Sequence, residues 1–177
     1  MLQYIDSNRL KCISNKFSDL VFVIDLNVLR SICQFAQLDQ ISTEAGGLLI
    51  GHQDLQTKAF IVDKTTLPFP DDKRKRNSFY RSNSHSKELT RLWEESNKVI
   101  TLGGLWHTHP EDSPSPSSTD YKDLFSVINS FKGLDIPLLY VIVGRREIGF
   151  WFGYNKNSEV EALGSIDLAQ IISCNKY

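Results

Sequence analysis

The segment VITLGGLWHTH, residues 99 to 109, restricts the possible folds of this chain more than any other stretch. It has the composition of a β-strand, and Pro110 ends it because proline cannot donate a hydrogen bond to a sheet ladder. Residues i and i+2 of a strand point to the same face, so His107 and His109 present two imidazoles side by side. We therefore expect a sheet with a pair of histidines at the end of one strand.

A helix is predicted after this strand, beyond a proline-rich loop. The sequence from Ser117 to Gly133 places apolar residues on one helical face and reaches a glycine that stops the helix. Residues three apart share a helical face, so Ser117 and Asp120 stand together on the first turn. If the loop folds that turn back over the strand end, Asp120 meets the two histidines.

This convergence of two histidines and one carboxylate has a specific and an ordinary interpretation. The specific one is the three-ligand set of a catalytic zinc site, with the fourth tetrahedral position left for water. Taken separately, an H-x-H pair is more often exposed or hydrogen-bonded, and Ser117 with Asp120 forms a helix capping device. The joint pattern of His107, His109 and Asp120 favours the metal site.

Hydrolysis at such a site also requires a proton carrier. Glu44 is the candidate, because Gly46 and Gly47 follow it at the mouth of a predicted strand and glycines allow a close backbone approach. An exposed loop acid without a role is the alternative, and spacing alone does not choose Glu44 over Glu111 or Asp112. A zinc nucleobase deaminase also combines zinc with a glutamate, but the sequence has no C-x-x-C motif of that family.

The remaining elements predict a single α/β domain, 1–177, in which a mixed β-sheet is sandwiched by helices. Strands are expected at 20–25, 48–51, 58–66, 78–82, 137–144 and 147–154, and helices at 26–38 and 86–97. The strand at 58–66 is expected to pair antiparallel with 48–51. Residues 67–77, which include the KRKR run, are interpreted as a solvated surface loop. The tail to Tyr177 is expected to include a short helix or an edge strand.

Composition argues against several classes of protein. With 20 Lys plus Arg against 21 Asp plus Glu, the formal net charge is -1, which argues against a domain that coats nucleic acid. The start does not resemble a secretory signal and no run reaches about 18 apolar residues, so neither export nor a membrane span is expected. Cys12, Cys33 and Cys174 lie far apart, which is typical of reduced, buried thiols in a cytoplasmic protein.

Three motifs together resemble the signature of the JAMM (JAB, MPN+) metalloproteases: a glutamate, then H-[ST]-H, seven residues, S, two residues, D. They are EAGGLLIG from Glu44, HTHP from His107 and SSTD from Ser117. Seven residues separate His109 from Ser117 and two separate Ser117 from Asp120, so all five positions are filled. The predicted element order also resembles the MPN fold, with a core at about 20–155.

The resemblance implies a role for each of the five residues. His107, His109 and Asp120 would bind one zinc ion, Glu44 would shuttle protons, and Ser117 would donate a hydrogen bond to the oxyanion of the tetrahedral intermediate. Some MPN members lack the ligands and serve only as scaffolds that bind a ubiquitin-like protein or its ligase. Because every ligand position is kept here, the scaffold interpretation is disfavoured.

More narrowly, residues 106–120 and the NSFYRS segment at 77–82 are similar to bacterial JAB proteins found beside E1- and E2-like enzymes in antiphage operons. These include the CD-NTase-associated isopeptidase of type II CBASS and the deubiquitinase-like member of Bil systems. The similarity implies a zinc isopeptidase that releases a ubiquitin-like protein, or a CD-NTase conjugated through its C-terminal tail, from a target lysine. E1- or E2-like proteins are expected partners, and an insertion at about 67–98 is expected to grip the extended tail.

Overall fold

The computed structural model describes residues 1–17, 19–131, 137–154 and 159–173. Gly133 and Cys174 lie outside the described residues. The strands are β1 (Leu2–Asp6), β2 (Arg9–Ile13), β3 (Val21–Asp25), β4 (Gly46–Gln53), β5 (Phe60–Thr65), β6 (Lys73–Lys75), β7 (Ser78–Tyr80), β8 (Thr101–Thr108), β9 (Leu138–Val143), β10 (Glu147–Tyr154) and β11 (Glu159–Asp167). The helices are α1 (Leu26–Cys33), α2 (Asn83–Glu95), α3 (Ser118–Ser130) and α4 (Leu168–Ser173).

Nine strands form one mixed sheet in the order β1-β2-β3-β5-β4-β8-β9-β10-β11, and β6 pairs with β7 in a separate hairpin. Two pairs, β3 with β5 and β8 with β9, are parallel. β4 and β5 pair antiparallel, as predicted. β8, which contains His107 and ends one residue before His109, therefore lies in the interior of the sheet, between β4 and β9.

The two edges of the sheet approach each other. A Cβ added at Gly164 in β11 would lie 3.8 Å from Leu2 in β1. The Ser14 hydroxyl, just after β2, donates to Glu161 in β11 over 2.8 Å. The predicted sheet sandwiched by helices is therefore wrong in shape: the sheet is barrel-like. The physical reason is that β1 and β2, which were not predicted, and the edge strand β11 in the C-terminal tail lengthen the sheet until its twist brings the edges together.

Apolar residues cover both faces of the curved sheet. One core cluster joins α1 and α4 to residues from both edges of the sheet, and it includes the buried free thiols of Cys12 and Cys33. The other cluster packs α2 and α3 against β4, β8 and β9. No helix among the described residues is long and apolar enough to cross a lipid bilayer.

The first helix is shorter than predicted. Asp25 is its N-cap, and the carboxylate accepts a hydrogen bond from the Asn27 N–H over 2.7 Å. The helix ends at Cys33 rather than at residue 38, and the chain then turns so that Gln37 is completely buried. This turn directs the following segment toward the first residues of β4.

A buried polar network anchors the segment between β5 and α2. The Thr66 hydroxyl lies 2.6 Å from His85 Nδ1, and His85 Nε2 lies 3.0 Å from Asp72 Oδ2. The Asp72 carboxylate also accepts hydrogen bonds from the Phe69 and Ser82 backbone N–H groups, over 2.8 and 2.9 Å. Because the His85 and Asp72 side chains are fully buried, this network fixes the base of the β6–β7 hairpin to the sheet.

Asp72→Ala is expected to destabilise the fold by about 2–3 kcal/mol, because three buried donors lose their partner. Asp71→Ala is the matched control, since Asp71 is exposed and its carboxylate accepts a hydrogen bond from the Ser84 hydroxyl at the surface. Urea unfolding followed by tryptophan fluorescence measures both changes. Equal midpoints for the two variants would contradict the anchoring role.

Candidate active site

The start of β4 brings Glu44 to the strand end that carries the histidines. β4 pairs antiparallel with β8, with Gly46 opposite His107. A Cβ at Gly46 would lie 2.5 Å from the ring of Phe79, so only glycine allows the hairpin to approach this closely. Glu44, two residues earlier, consequently enters the same region as the two imidazoles.

His107, His109 and Asp120 converge in the structure. The two Nε2 atoms of the histidines lie 2.8 Å apart. The Asp120 carboxylate lies 3.1 Å from His107 Nε2 through Oδ1 and 3.3 Å from His109 Nε2 through Oδ2. These potential ligand atoms all lie within 4.8 Å of one another. The three residues can therefore hold one metal ion.

The capping interpretation of Ser117 and Asp120 is also confirmed. Ser117 is the N-cap of α3, and its hydroxyl accepts a hydrogen bond from the Asp120 N–H over 3.3 Å. In return, Asp120 Oδ2 accepts from the Ser117 N–H over 2.6 Å. The capping box thus fixes the carboxylate that faces the histidines, so one side chain serves both the helix and the site.

The charges of the three residues influence one another. Burial alone would raise the pKa of Asp120, but hydrogen bonds from His107 and His109 outweigh it and hold that pKa well below its usual range. Burial lowers the pKa of His107. Burial also opposes protonation of His109, yet the hydrogen bond to Asp120 and nearby carboxylates raise its pKa. The site therefore contains an ionised carboxylate beside two imidazoles of different basicity.

Glu44 differs from the two other acids considered for the proton carrier. It is 7% exposed, and burial raises its pKa to about 7, with smaller contributions from the charges of Asp120 and Glu111. The side chain of Glu111 is 57% exposed. The Asp112 carboxylate is half-exposed and bonded to Arg145 over 2.9 Å. Burial therefore distinguishes Glu44 from Glu111 and Asp112, a choice that sequence spacing alone leaves open.

A groove of about 470 Å³ contains this site. The β6–β7 hairpin, the end of β8 and the first turns of α3 form its walls, and Tyr140 in β9 contributes to its lining. Arg81, after the hairpin, donates to Asp123 on α3 over 2.9 Å and so joins two of these walls. The hairpin and the first turns of α3 therefore face each other across the site.

The basic run at 73–76 is not the solvated loop that the sequence suggests. β6 spans Lys73–Lys75, and Arg74 Nε donates to the Glu44 carbonyl over 2.7 Å. The Glu44 N–H donates to the Lys75 carbonyl over 2.8 Å, and Arg76 donates to the Gln40 carbonyl over 2.6 Å. The run is therefore part of the wall that holds Glu44, through contacts between residues far apart in sequence.

Residues 26–154 match the family model described as prokaryotic homologs of the JAB domain. The chain belongs to this family. Curated relatives from several bacteria carry the name CD-NTase/cGAS isopeptidase. This JAB chain is 31% identical to the relative from Escherichia coli strain TW11681, over 82% of this chain and 94% of the relative. Identity to the Vibrio cholerae O1 relative is 30%, over 85% and 92%, and to the Pseudomonas aeruginosa relative 33%, over 69% and 76%.

Comparison with solved structures supports the same fold. The solution structure of protein DSY2949 from Desulfitobacterium hafniense superposes with a TM-score of 0.54 at 17% identity. The match covers 78% of this chain and 87% of that protein. At this identity the likeness concerns the fold alone.

The residues present fit a metal ion on chemical grounds. His107 and His109 offer ring nitrogens and Asp120 offers carboxylate oxygens, which are donors that divalent transition metals accept. The Nδ1 atom of His109 is buried without a hydrogen-bond partner among the described residues, and Glu111 lies 3.7 Å from it. The pair of imidazole nitrogens facing one carboxylate is an arrangement that a cation between them would stabilise.

His107→Ala and Asp120→Asn are each expected to weaken metal binding by more than about 100-fold, since even outer-shell changes cost 10- to 100-fold. Asparagine keeps an oxygen that can cap α3, so the helix is preserved in the second variant. His52→Ala is the control, because His52 lies near Asp63, toward the other end of β4. Metal titration followed by isothermal calorimetry measures the effect, and wild-type affinity in both site variants would refute the ligand assignment.

Proposed function

We propose that this JAB chain is a zinc-dependent isopeptidase that cleaves after the C-terminus of a ubiquitin-like protein or of a conjugated CD-NTase. One observation carries the proposal: a buried glutamate with a pKa of about 7 lines the same groove as the His107–His109–Asp120 group. The names of the relatives support isopeptide cleavage and a CD-NTase as the conjugated protein. In a bacterium this activity would serve antiphage defence.

Under the proposal, His107, His109 and Asp120 hold a single zinc ion. When bound there, zinc would lower the pKa of a coordinated water toward about 7 and polarise the scissile carbonyl. The ionised state of Asp120 supports this assignment, because a carboxylate binds a cation only after losing its proton. The buried free thiols of Cys12 and Cys33 suit a reducing cytoplasm.

Glu44 is proposed to carry the proton through the reaction. A carboxyl group with a pKa of about 7 is divided between its protonated and ionised forms near neutral pH. The ionised carboxylate can accept a proton from the attacking water, and the resulting acid can donate it to the departing lysine amine. Burial therefore gives Glu44 the acid strength that both halves of the reaction require.

Ser117 is proposed to stabilise the oxyanion of the tetrahedral intermediate. Its hydroxyl lies in the groove and accepts a hydrogen bond from the Asp120 N–H. Accepting that bond leaves the hydroxyl proton available to donate to a substrate oxygen. The capping and oxyanion roles are therefore compatible.

The substrate tail is proposed to lie along the groove, beside the hairpin of the insertion at 67–98. An extended C-terminal tail can bind as an added strand, gripped by main-chain hydrogen bonds. Among the described residues, β7 pairs with β6 alone, and Ser78, Phe79 and Tyr80 of β7 line the groove. E1- or E2-like proteins that build such conjugates are proposed partners.

Glu44→Gln is expected to reduce cleavage by at least about 100-fold while metal content stays unchanged, because glutamine keeps the shape of the side chain but cannot transfer the proton. The assay measures release of a reporter from the lysine amine to which a CD-NTase or ubiquitin-like C-terminus is joined. Glu111→Gln is the matched control and should retain activity. Near wild-type cleavage by Glu44→Gln would remove Glu44 from the mechanism. If the wild type neither cleaves the conjugate nor binds zinc, the scaffold interpretation is favoured.

Ser117→Ala is expected to lower the cleavage rate on the order of 100-fold, as for loss of one oxyanion donor. The same change should cost about 1 kcal/mol of stability through loss of the helix cap. Ser117→Thr keeps the hydroxyl and should retain most of the rate. If Ser117→Ala loses stability but cleaves at the wild-type rate, only the capping role remains.

A further inference from the structure

Gln37 is a fully buried amide that touches three separate parts of the active site. Its Nε2 group donates to the Ser42 carbonyl over 3.1 Å and to the Arg76 carbonyl over 2.8 Å. Its Oε1 accepts a hydrogen bond from the Thr108 hydroxyl over 3.2 Å. The amide thus joins the segment before Glu44, the β6–β7 hairpin and the strand of the two histidines.

Thr108 extends this contact toward the proton carrier. It lies between His107 and His109 in sequence and is completely buried. Its hydroxyl accepts from the Ala45 N–H over 3.0 Å, and its own N–H donates to the Ala45 carbonyl over 2.8 Å. Gln37 therefore reaches the residue next to Glu44 through a single side chain.

The hairpin completes the support of Glu44. Both backbone polar groups of Glu44 are bonded to β6, the N–H to the Lys75 carbonyl and the carbonyl to Arg74. Gln37 in turn bonds the carbonyl of Arg76, which directly follows β6. The wall that lines the groove and the segment that carries the proton carrier are therefore held by the same contacts.

These contacts matter because Glu44 lies outside any helix or strand, two residues before β4. A loop residue has no ladder of its own to fix its position, whereas proton transfer requires placement within a fraction of an ångström. Arg74 holds the backbone from the solvent side, since it is only partly buried. On the buried side, Thr108 bonds Ala45 directly, and Gln37 joins Thr108 to Ser42 and to Arg76.

We propose that Gln37 is a positioning residue, which sets Glu44 relative to the two histidines and couples that placement to the groove-lining hairpin. The inference rests on the proposed isopeptidase function for its catalytic consequence. Its structural consequence, local ordering of residues 42–45 and 73–80, can be measured without turnover. An experiment can therefore contradict the structural role of Gln37 without contradicting the isopeptidase function, and the reverse.

The test compares Gln37→Leu with Tyr154→Phe in the full chain. Tyr154 donates to Glu161 over 2.6 Å and lies 3.1 Å from the Ser14 hydroxyl, in another buried network at the closing edges of the sheet rather than in the groove. Amide hydrogen exchange followed by NMR reports on the N–H groups of Glu44 and Ala45, and steady-state cleavage gives kcat and KM. Urea unfolding measures the loss of global stability in both variants.

Gln37→Leu is expected to accelerate amide hydrogen exchange at Glu44 and Ala45 by at least about tenfold, when it is compared with the wild type under conditions of equal global stability. It should also lower kcat about 10- to 100-fold with zinc retained, as for a small misplacement of a catalytic group. Tyr154→Phe should change neither the exchange rates at Glu44 and Ala45 nor kcat. Unchanged exchange at Glu44 and Ala45 in Gln37→Leu overturns the positioning role, whether or not the wild type cleaves the conjugate.

Thr108 provides a second pair of variants should Gln37→Leu fold poorly. Thr108→Val keeps the shape but removes the hydroxyl between Gln37 and Ala45, so it should reproduce the faster exchange and the lower kcat. Thr108→Ser restores the hydroxyl and should restore both values to within about threefold of the wild type. A valine variant that behaves like the serine variant contradicts the proposal.

Discussion

The carboxylate of Asp120 links the start of α3 to the end of β8. It accepts the Ser117 N–H as part of the capping box and faces the Nε2 atoms of both histidines. The cap fixes the side chain before any ion binds, so the ligand atoms are brought together by the fold itself. Without this link, α3 would lose its N-terminal support and the histidine pair would lose its carboxylate.

The surroundings of Asp120 and Glu44 shift the pKa values of these two groove-lining carboxyl groups in opposite directions. Asp120 faces imidazole donors that lower its pKa, whereas Glu44 is buried without a comparable partner and its pKa rises to about 7. Such a separation suits one carboxylate to hold a cation and the other to move a proton. The close approach of β4 to β8, which Gly46 permits, brings both environments into a single groove.

The parts of the site that depend on local periodicity can be predicted from the sequence. The strand alternation placed His107 with His109, and helical spacing placed Ser117 with Asp120. Sequence reasoning missed Gln37, since a buried glutamine has no local pattern and its partners lie at 42, 76 and 108. It also missed β1, β2 and β6, which are strands of only three to five residues. β1 and β6 are largely exposed, so they lack the buried alternation that identifies a strand in a sequence. Without β1 and β2, the barrel-like closure of the main sheet could not be foreseen.

The proposed function requires that the groove hydrolyse an isopeptide bond with zinc held by two histidines and one aspartate. The most direct measurement is release of free lysine amine from an isopeptide-linked conjugate, made before chelation, after removal of the metal, and after zinc is restored. We expect cleavage to disappear with the metal and to return with one equivalent of zinc. Cleavage that continues at the same rate in metal-free protein would rule out zinc-dependent hydrolysis.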